Sequence, residues 1–238
     1  MKKVSKNSRV AQYINGVRCA LPVILGFIPV GIAYAIMARH AGFSLGETCI
    51  MSLTVFAGAS EMMAVGMYAG GASIIAIILA TFILNLRHVI MSTCVFNEMK
   101  SAKLGTRMLA AFGVTDESFA IFTTSEKEKR TAPFFVGLIT VSYASWNVGT
   151  LIGALSSDIL PEIVSASFGI ALYAMFIGLI MPGLRANLRL AVLVIFTAAV
   201  NTILNFFIAS SWALIISTLI CAAIGAFFVD LSEESEAQ

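Results

Sequence analysis

Charged side chains are scarce in this sequence. Asp, Glu, Lys and Arg make up 12% of its 238 residues, and hydrophobic residues make up 59%, whereas soluble domains carry about 25% charged residues. The 15 Lys and Arg nearly balance the 13 Asp and Glu, so the net charge gives no indication of nucleic-acid binding. The composition excludes an ordinary soluble domain and indicates an integral membrane protein.

Residues typical of metal sites and enzyme active sites are also few. The two histidines are His40 and His88, and the four cysteines lie singly in apolar segments without metal-ligand spacing, as small membrane hydrophobes do. The sequence contains no HExxH, GxSxG, Walker or dinucleotide-binding glycine motif. We therefore expect no metal, no cofactor and no enzyme activity. A membrane enzyme would need an unrecognised arrangement of catalytic residues.

Long apolar stretches fill most of the chain, and each is long enough to cross a hydrocarbon core of about 30 Å as a helix. They are predicted at 17–38, 47–68, 71–95, 132–155, 162–182, 188–208 and 211–229. The expected fold is all-α, a polytopic transmembrane helix bundle of about six to seven membrane segments. The expected organisation is a basic cytoplasmic N-terminus (1–16), one transmembrane domain (17–229) with a polar connection (97–131), and an acidic tail (230–238).

The positions of Lys and Arg conflict with seven simple crossings. Five lie in the N-terminal stretch, six in 97–131, two in 183–189 and one, Arg39, in the first loop. Because Lys and Arg favour the cytoplasmic side, seven crossings would leave five of these 14 inside and nine outside. A re-entrant segment before residue 127 gives 13 inside and one outside, and an extra span at 104–123 gives ten and four. Both alternatives predict broken or re-entrant helices in the first half.

Two stretches are predicted to break. In "VFAGASEMM" (55–63), Gly58 and Ser60 interrupt an apolar segment just before the acid Glu61. In "LAAFGVTDESFAIF" (109–122), Thr115 is a predicted N-cap. The second stretch is therefore expected to form two half-helices with a polar tip.

An internal repeat is a further possibility. Shifting the sequence by 118 residues aligns "PVGIAYAI" (29–36) with "NVGTLIGA" (147–154), and transporters are often duplicated. An inverted repeat would require opposite orientations of the two halves, which fits poorly with the positive-inside alternatives. Gly66 with Gly70, and Gly149 with Gly153, have the spacing of closely packed membrane helices, although glycine is common in such helices in any context.

Arg87 lies in the apolar stretch "FILNLRHVIMS" (82–92), together with Asn85 and His88. An arginine at the centre of a spanning helix costs about 2.5 to 3.5 kcal/mol on insertion scales. It can extend its head group to the interface, or face a solvated cavity where its guanidinium binds a carboxylate with two hydrogen bonds. Asn85 and His88 point away from Arg87 on a helix, toward a neighbouring helix or a cavity rim.

Glu61 is the expected counter-charge within the membrane. It could pair with Arg87, bind a substrate ammonium or carry a proton, or it could simply lie in a hydrated break. A helix that restarts after Gly58 would also present free N–H groups to an anion. Asp116 and Glu117 could take part in coupling or only cap their helix. Other polar residues could line a path or hydrogen-bond between helices: Ser142, Trp146, Asn147, Asn201 and Asn205.

Five motifs together resemble the AzlC family, over about residues 16–205. They are "GFIPVGIAYA", "SLTVFAGASEMMA", "NLRHVIMS", "TDESFAI" and "SWNVGTLIG". The resemblance implies a secondary transporter of the bacterial cytoplasmic (inner) membrane that exports leucine, isoleucine, valine or analogues such as azaleucine. It also implies a small AzlD-type membrane subunit as partner. The family motif usually has glutamine where Glu61 stands, which leaves the charge preference and the proton coupling of the site open.

A zwitterionic amino acid needs a cation for its carboxylate, an acceptor for its ammonium and an apolar pocket. The predicted substrate-binding residues are Arg87, Glu61, Ser60, Gly58, Phe56 and Asn85. The predicted coupling or gating residues are Glu61, His88, Asp116 and Glu117. The alternatives are export of another small hydrophobic amino acid such as methionine, or a role as a membrane enzyme or assembly subunit.

Overall fold

A computed structural model describes residues 8–157, 177, 181, 184–185, 187–208 and 210–228. As predicted, the fold is all-α, and these residues contain no strand. The helices are α1 Arg9–Cys19, α2 Leu21–His40, α3 Leu45–Val55, α4 Gly58–Ala69, α5 Ile74–Glu98, α6 Leu104–Gly113, α7 Asp116–Thr124, α8 Ala132–Ser156, α9 Leu188–Leu204 and α10 Ser210–Phe228. Apart from residues 177 and 181, the predicted segment 162–182 lies outside the described residues, as does the tail at 230–238.

Three of the described helices, α2, α5 and α8, are long and apolar enough to cross a membrane. The other α-helices before residue 157 are shorter, between 9 and 12 residues. A helix of 10 residues is about 15 Å long, which is about half of the hydrocarbon core. The chain between the spanning helices therefore consists of half-length helices, as the two predicted breaks require.

Spanning helices α2 and α8 pack closely and run parallel. A Cβ on Gly149 would lie 2.5 Å from the Ile28 carbonyl oxygen, and one on Gly153 would lie 2.6 Å from the Ile32 carbonyl oxygen. The contacts thus advance in the same direction along both helices. Parallel spans exclude the simple alternation of seven crossings, in which these two helices would run in opposite directions.

The α2–α8 contact is also reciprocal. A Cβ on Gly31 would lie 2.8 Å from the Trp146 carbonyl oxygen, and one on Gly149 would meet Ile28. The 118-residue shift that aligns the two sequences relates Gly31 to Gly149 and Ile28 to Trp146. This arrangement favours a parallel repeat and is incompatible with an inverted repeat for this pair of helices. Of the two predicted glycine pairs, Gly149 and Gly153 pack closely, whereas a Cβ on Gly66 would meet no described atom within 4 Å.

Helices α3 and α4 form a hairpin that enters from the end where α2 finishes. Its contacts with α8 are, in chain order, Ser52 with Thr150, Phe56 with Tyr143, and Gly58 with Trp146. Along α8 the contacts move from Thr150 toward the N-terminus at Tyr143 and then back to Trp146. The chain therefore turns back at Phe56, whose φ of 46° is the left-handed value that a phenylalanine rarely adopts. The predicted break is confirmed, two residues before Gly58.

Helices α6 and α7 form a second hairpin, which enters from the opposite end. In chain order, Thr106 lines the same cleft as Val136 of α8, Phe112 contacts Tyr143, and Phe122 contacts Phe134 and Phe135. The contacts thus move forward along α8 and then back. The turn lies at Val114 and Thr115. The predicted N-cap is confirmed: the Thr115 hydroxyl accepts from the Ser118 N–H, and the Ser118 hydroxyl accepts from the Thr115 N–H.

Spanning helix α5 ends where α1 and α8 begin. Glu98 and Met99 share a cleft with Arg9 and Pro133, so α5 runs opposite to α8. Arg9 of the N-terminal stretch and Lys103 and Arg130 of 97–131 therefore lie at one end, here called the basic end, as the re-entrant alternative predicts. A cytoplasmic location of that end stays a prediction.

The chain divides into two compact units, residues 1–66 with 84–172 and residues 67–83 with 173–238. In the first, α1 and α2 pack on α8, and so do the two hairpins. In the second, α9 packs on α10, where a Cβ on Gly225 would lie 2.5 Å from Leu193 Cδ2. A single transmembrane domain over 17–229 stays a prediction.

Candidate functional site

The tips of the two hairpins meet on one side chain of α8. The Phe56 ring lies 5.0 Å from the Tyr143 ring and 6.2 Å from the Phe112 ring, and Phe112 lies 5.8 Å from Tyr143. These three residues are called the tip cluster below. The Tyr143 hydroxyl also donates to the Leu53 carbonyl oxygen, at 2.8 Å, which occupies a carbonyl that the end of α3 leaves without a helical partner.

Arg87 and Asp116 form an ion pair at the tip of the second hairpin. Arg87 Nη1 donates to Asp116 Oδ2 at 2.5 Å, and the two side chains are 31% and 32% exposed. Arg87 lies about 16 Å along α5 from its end at Glu98. The pair is thus near half the depth of a 30 Å core. Arg87 Nε is buried and has no hydrogen-bond partner among the described residues.

Glu61 has a different partner from the one expected. Its carboxylate is fully buried, and Oε1 accepts a hydrogen bond from the Ala57 N–H at 2.9 Å. Of the possibilities for Glu61, a pair with Arg87 is not the one found, because the structure pairs Arg87 with Asp116. Ala57 directly precedes α4, so its N–H is not used within that helix. A carboxylate at the positive, N-terminal end of a helix is stabilised. The other oxygen, Oε2, is buried without a partner in the described part of the chain.

Trp146 lies beside the start of α4. A Cβ on Gly58 would lie 2.5 Å from Trp146 Cη2, and the indole stacks on Tyr34 with ring centroids 5.9 Å apart. Trp146 is 3% exposed, and its Nε1 has no hydrogen-bond partner within the described ranges. The Trp146 indole N–H on α8 therefore lies beside the Glu61 carboxylate on α4, as a direct electrostatic partner.

The remaining predicted site residues take separate places. The Ser60 hydroxyl donates to Asn85 Oδ1 at 2.5 Å, which links the first hairpin to α5. His88 follows Arg87 in α5. Glu117 follows Asp116 in the first turn of α7. The structure thus joins Ser60 with Asn85 and Arg87 with Asp116, places Gly58 against Trp146, and places Phe56 in the tip cluster.

Several of the other polar residues hydrogen-bond between helices or within one. The Ser52 hydroxyl bonds with Thr150 Oγ1 and donates to Asn147 Oδ1, joining α3 to α8. Ser142 donates to the Leu138 carbonyl of its own helix. Nδ2 of Asn205, the C-cap of α9, donates to Asn201 Oδ1 one turn earlier. These contacts explain the presence of the polar side chains named here, and no ligand is needed to explain them.

Sequence reasoning missed the residues that place the tips, chiefly Tyr143, Phe112 and Tyr34. In the sequence they look like ordinary apolar positions. The signal that could have found Tyr143 is its hydroxyl, next to the polar Ser142 in the middle of the predicted apolar segment 132–155. Nothing in that pattern indicates that two separate half-helices meet there.

Comparison with known proteins places this arrangement in a family. The AzlC protein family matches residues 22–160. The chain belongs to the AzlC family. This stretch runs from the start of α2 to just beyond α8 and contains both hairpins, the ion pair and Glu61.

Three relatives show how far the similarity extends. An uncharacterized membrane protein of Archaeoglobus fulgidus is 34% identical over 76% of this chain and 80% of its own length. The inner membrane protein YgaZ of Escherichia coli is 29% identical, over 76% and 77%. The branched-chain amino acid transport protein AzlC of Bacillus subtilis is 29% identical, over 64% and 61%. No solved structure matches the chain. With the three membrane-length helices, these relatives support a membrane transporter.

Proposed function

We propose that this AzlC-family chain is a secondary transporter that exports branched-chain amino acids: leucine, isoleucine, valine or analogues such as azaleucine. The observation that carries the proposal is the Arg87–Asp116 ion pair at the tip of a re-entrant hairpin, near half the depth of the membrane. Intramembrane charges of this kind mark transport paths in membrane proteins. The named substrate of the Bacillus subtilis relative supports the substrate class.

The ion pair has the charges that a zwitterionic amino acid needs. A substrate carboxylate can replace Asp116 on Arg87 and use two guanidinium nitrogens, because Nε is without a partner among the described residues. The substrate ammonium can then bind the released Asp116 carboxylate or the Glu61 carboxylate. The exchange keeps every charge paired, so the cost of an isolated charge in a medium of low dielectric constant is avoided.

The apolar side of the substrate would meet the tip cluster. Phe56, Phe112 and Tyr143 present aromatic surface where the two hairpins meet. Because the hairpins enter from opposite ends, each can open one side of the site, as alternating access requires. In this account Arg87, Asp116, Ser60 and Asn85 bind substrate, Phe56 gates, and Glu61, His88 and Glu117 take part in coupling. Gly58 acts through its packing against Trp146.

The proposal includes a partner and a location. The chain would act with a small AzlD-type membrane subunit, in a bacterial cytoplasmic membrane, with its N-terminus in the cytoplasm. The basic end supports that orientation, because Arg9, Lys103 and Arg130 lie together there. An ion gradient is the driving force in this proposal, as in other secondary transporters.

Efflux from preloaded cells tests the proposal. Cells that express the chain with the small subunit, the chain alone or neither are loaded with radiolabelled leucine, valine or methionine. We expect faster efflux of leucine and valine only when the chain is present. A gain for methionine alone would favour the alternative amino-acid substrate. Equal efflux in all three strains would contradict amino-acid export and leave a membrane enzyme or assembly subunit as the alternative.

A further inference from the structure

A cleft of about 610 Å³ opens at the basic end. It lies at the far end of α8 from the Ser52–Thr150 contact and is formed by the beginnings of α1, α6 and α8 and the end of α5. Its basic lining residues are Arg9, Lys103 and Arg130, and its one acidic lining residue is Glu98. The volume is in the range of small-molecule sites, about 300 to 1,000 Å³.

Three helix N-termini meet in this cleft, and each carries a cation. Arg9 is the first residue of α1, Lys103 is the N-cap of α6, and Arg130 precedes Thr131, the N-cap of α8. None of the three helices has an acid in its first turn, and neither α6 nor α8 has a side-chain cap. The N-terminus of a helix is the positive end of its dipole, where acids stabilise and cations destabilise. An anion in the cleft would relieve all three ends at once.

Two of the three cations have no side-chain partner in the described part of the chain. Within residues 8–157, neither Arg9 nor Lys103 forms an ion pair or a side-chain hydrogen bond. Arg130 Nε donates to the Ser125 carbonyl oxygen at 2.8 Å, and its Nη1 lies 3.8 Å from Glu98 Oε1, at the outer limit of an ion pair. The Thr131 hydroxyl oxygen, also in the lining, is buried without a hydrogen-bond partner among the described residues.

The cleft lining also contains apolar residues: Met99, Ala102, Pro133 and Val136. A lining with both cations and apolar side chains suits a phosphate group attached to an apolar body, and basic pockets at the ends of membrane helices bind anionic head groups. We propose that the cleft binds a phosphate group. Its source is the head group of an anionic phospholipid or a soluble phosphate compound, and the site is separate from the proposed transport path.

Binding by the full-length chain tests this proposal without any transport assay. The chain is purified in a neutral detergent, stripped of lipid, and measured by native mass spectrometry and thermal unfolding. The probes are phosphatidylglycerol, phosphatidylcholine and inorganic phosphate. The variant is Arg9→Gln with Lys103→Gln, and the control is Lys100→Gln with Lys127→Gln, which removes two cations outside the cleft lining.

We expect the wild type and the control to bind phosphatidylglycerol in preference to phosphatidylcholine. The cleft variant should lose about 25-fold in affinity for phosphatidylglycerol, at about fivefold per cation. Stabilisation by inorganic phosphate that the cleft variant loses would support a soluble phosphate as the source. An equal phosphatidylglycerol preference in wild type, variant and control, without a phosphate effect, would overturn the proposal.

A second variant keeps the test informative if the double variant does not fold. Lys103→Glu puts a carboxylate at the N-terminus of α6 as an internal anion. We expect it to raise the unfolding temperature of the lipid-free chain and to weaken phosphatidylglycerol binding. A lower unfolding temperature with unchanged lipid preference would count against an anion site.

Discussion

Arg87 of α5 donates a 2.5 Å hydrogen bond to Asp116, the first residue of α7. The contact joins a membrane-length helix to the tip of a half-length hairpin. The opposite hairpin reaches the same depth, because Phe56 at its turn packs on Phe112, just before the turn of the other. The two hairpin tips therefore lie beside the same stretch of α5 and α8. The Arg87–Asp116 ion pair and the buried Glu61 lie there as well.

The ion pair predicts coupled effects on stability. Asp116→Asn leaves Arg87 without its anionic partner, and Arg87→Gln leaves Asp116 without its cation. Because both side chains are about one third exposed, solvent screens part of the loss, and we expect about 1 kcal/mol for each. The double variant should lose less than the sum of the single variants. Thermal unfolding in detergent measures these changes, and strictly additive losses would show that the two residues do not interact.

Glu61 should stabilise the first hairpin through one oxygen. Glu61→Ala leaves the buried Ala57 N–H unpaired and should cost about 1 to 3 kcal/mol. Glu61→Gln retains an amide oxygen at that position and should cost much less. If coupling uses the Glu61 proton, Glu61→Gln should fold and reach the membrane but export leucine independently of the pH gradient. An unchanged response to the gradient would remove Glu61 from coupling and leave it as a cap.

Gly58 is expected to tolerate no larger side chain. In Gly58→Ala the new methyl would lie 2.5 Å from Trp146 Cη2, and overpacking of this kind costs about 1 to 3 kcal/mol. The matched control is Gly66→Ala in the same helix, where a Cβ meets no described atom within 4 Å. That change should be neutral or stabilising by up to about 1 kcal/mol. Equal unfolding temperatures for the two variants would contradict the close Gly58–Trp146 contact.

The two hairpins predict the side of the membrane on which their ends can be labelled. In a chain without its four native cysteines, Glu126→Cys lies beyond the end of α7 and Glu47→Cys in the first turn of α3. An impermeant thiol reagent should label Glu126→Cys from the same side as Arg9→Cys and Glu47→Cys from the other side. Labelling of all three from one side would contradict hairpins that enter from opposite ends.

Local features of this chain were predictable from the sequence. The break before Gly58 and the Thr115 N-cap depend on neighbouring residues, and both were found as expected. The partner of Arg87 was not predictable in this way. It depends on which acidic side chain has no local hydrogen-bond partner. Glu61 bonds the Ala57 N–H four residues before it, whereas Asp116 extends from a tip that the reversal of α7 brings to α5. The direction of a half-helix is decided by long-range packing on α8, about which local periodicity carries no information.

The central claim is that the Arg87–Asp116 pair belongs to the transport path. Leucine efflux from preloaded cells tests it most directly, comparing wild type, Arg87→Asp, Asp116→Arg and the exchange of both charges at matched membrane abundance. The account predicts a loss of about tenfold or more in each single variant. It also predicts that the exchange restores part of the lost stability but not efflux. A cation then occupies the start of α7, and the site for the carboxylate is displaced. Wild-type efflux in the exchanged variant would contradict the account and show that the pair is only structural.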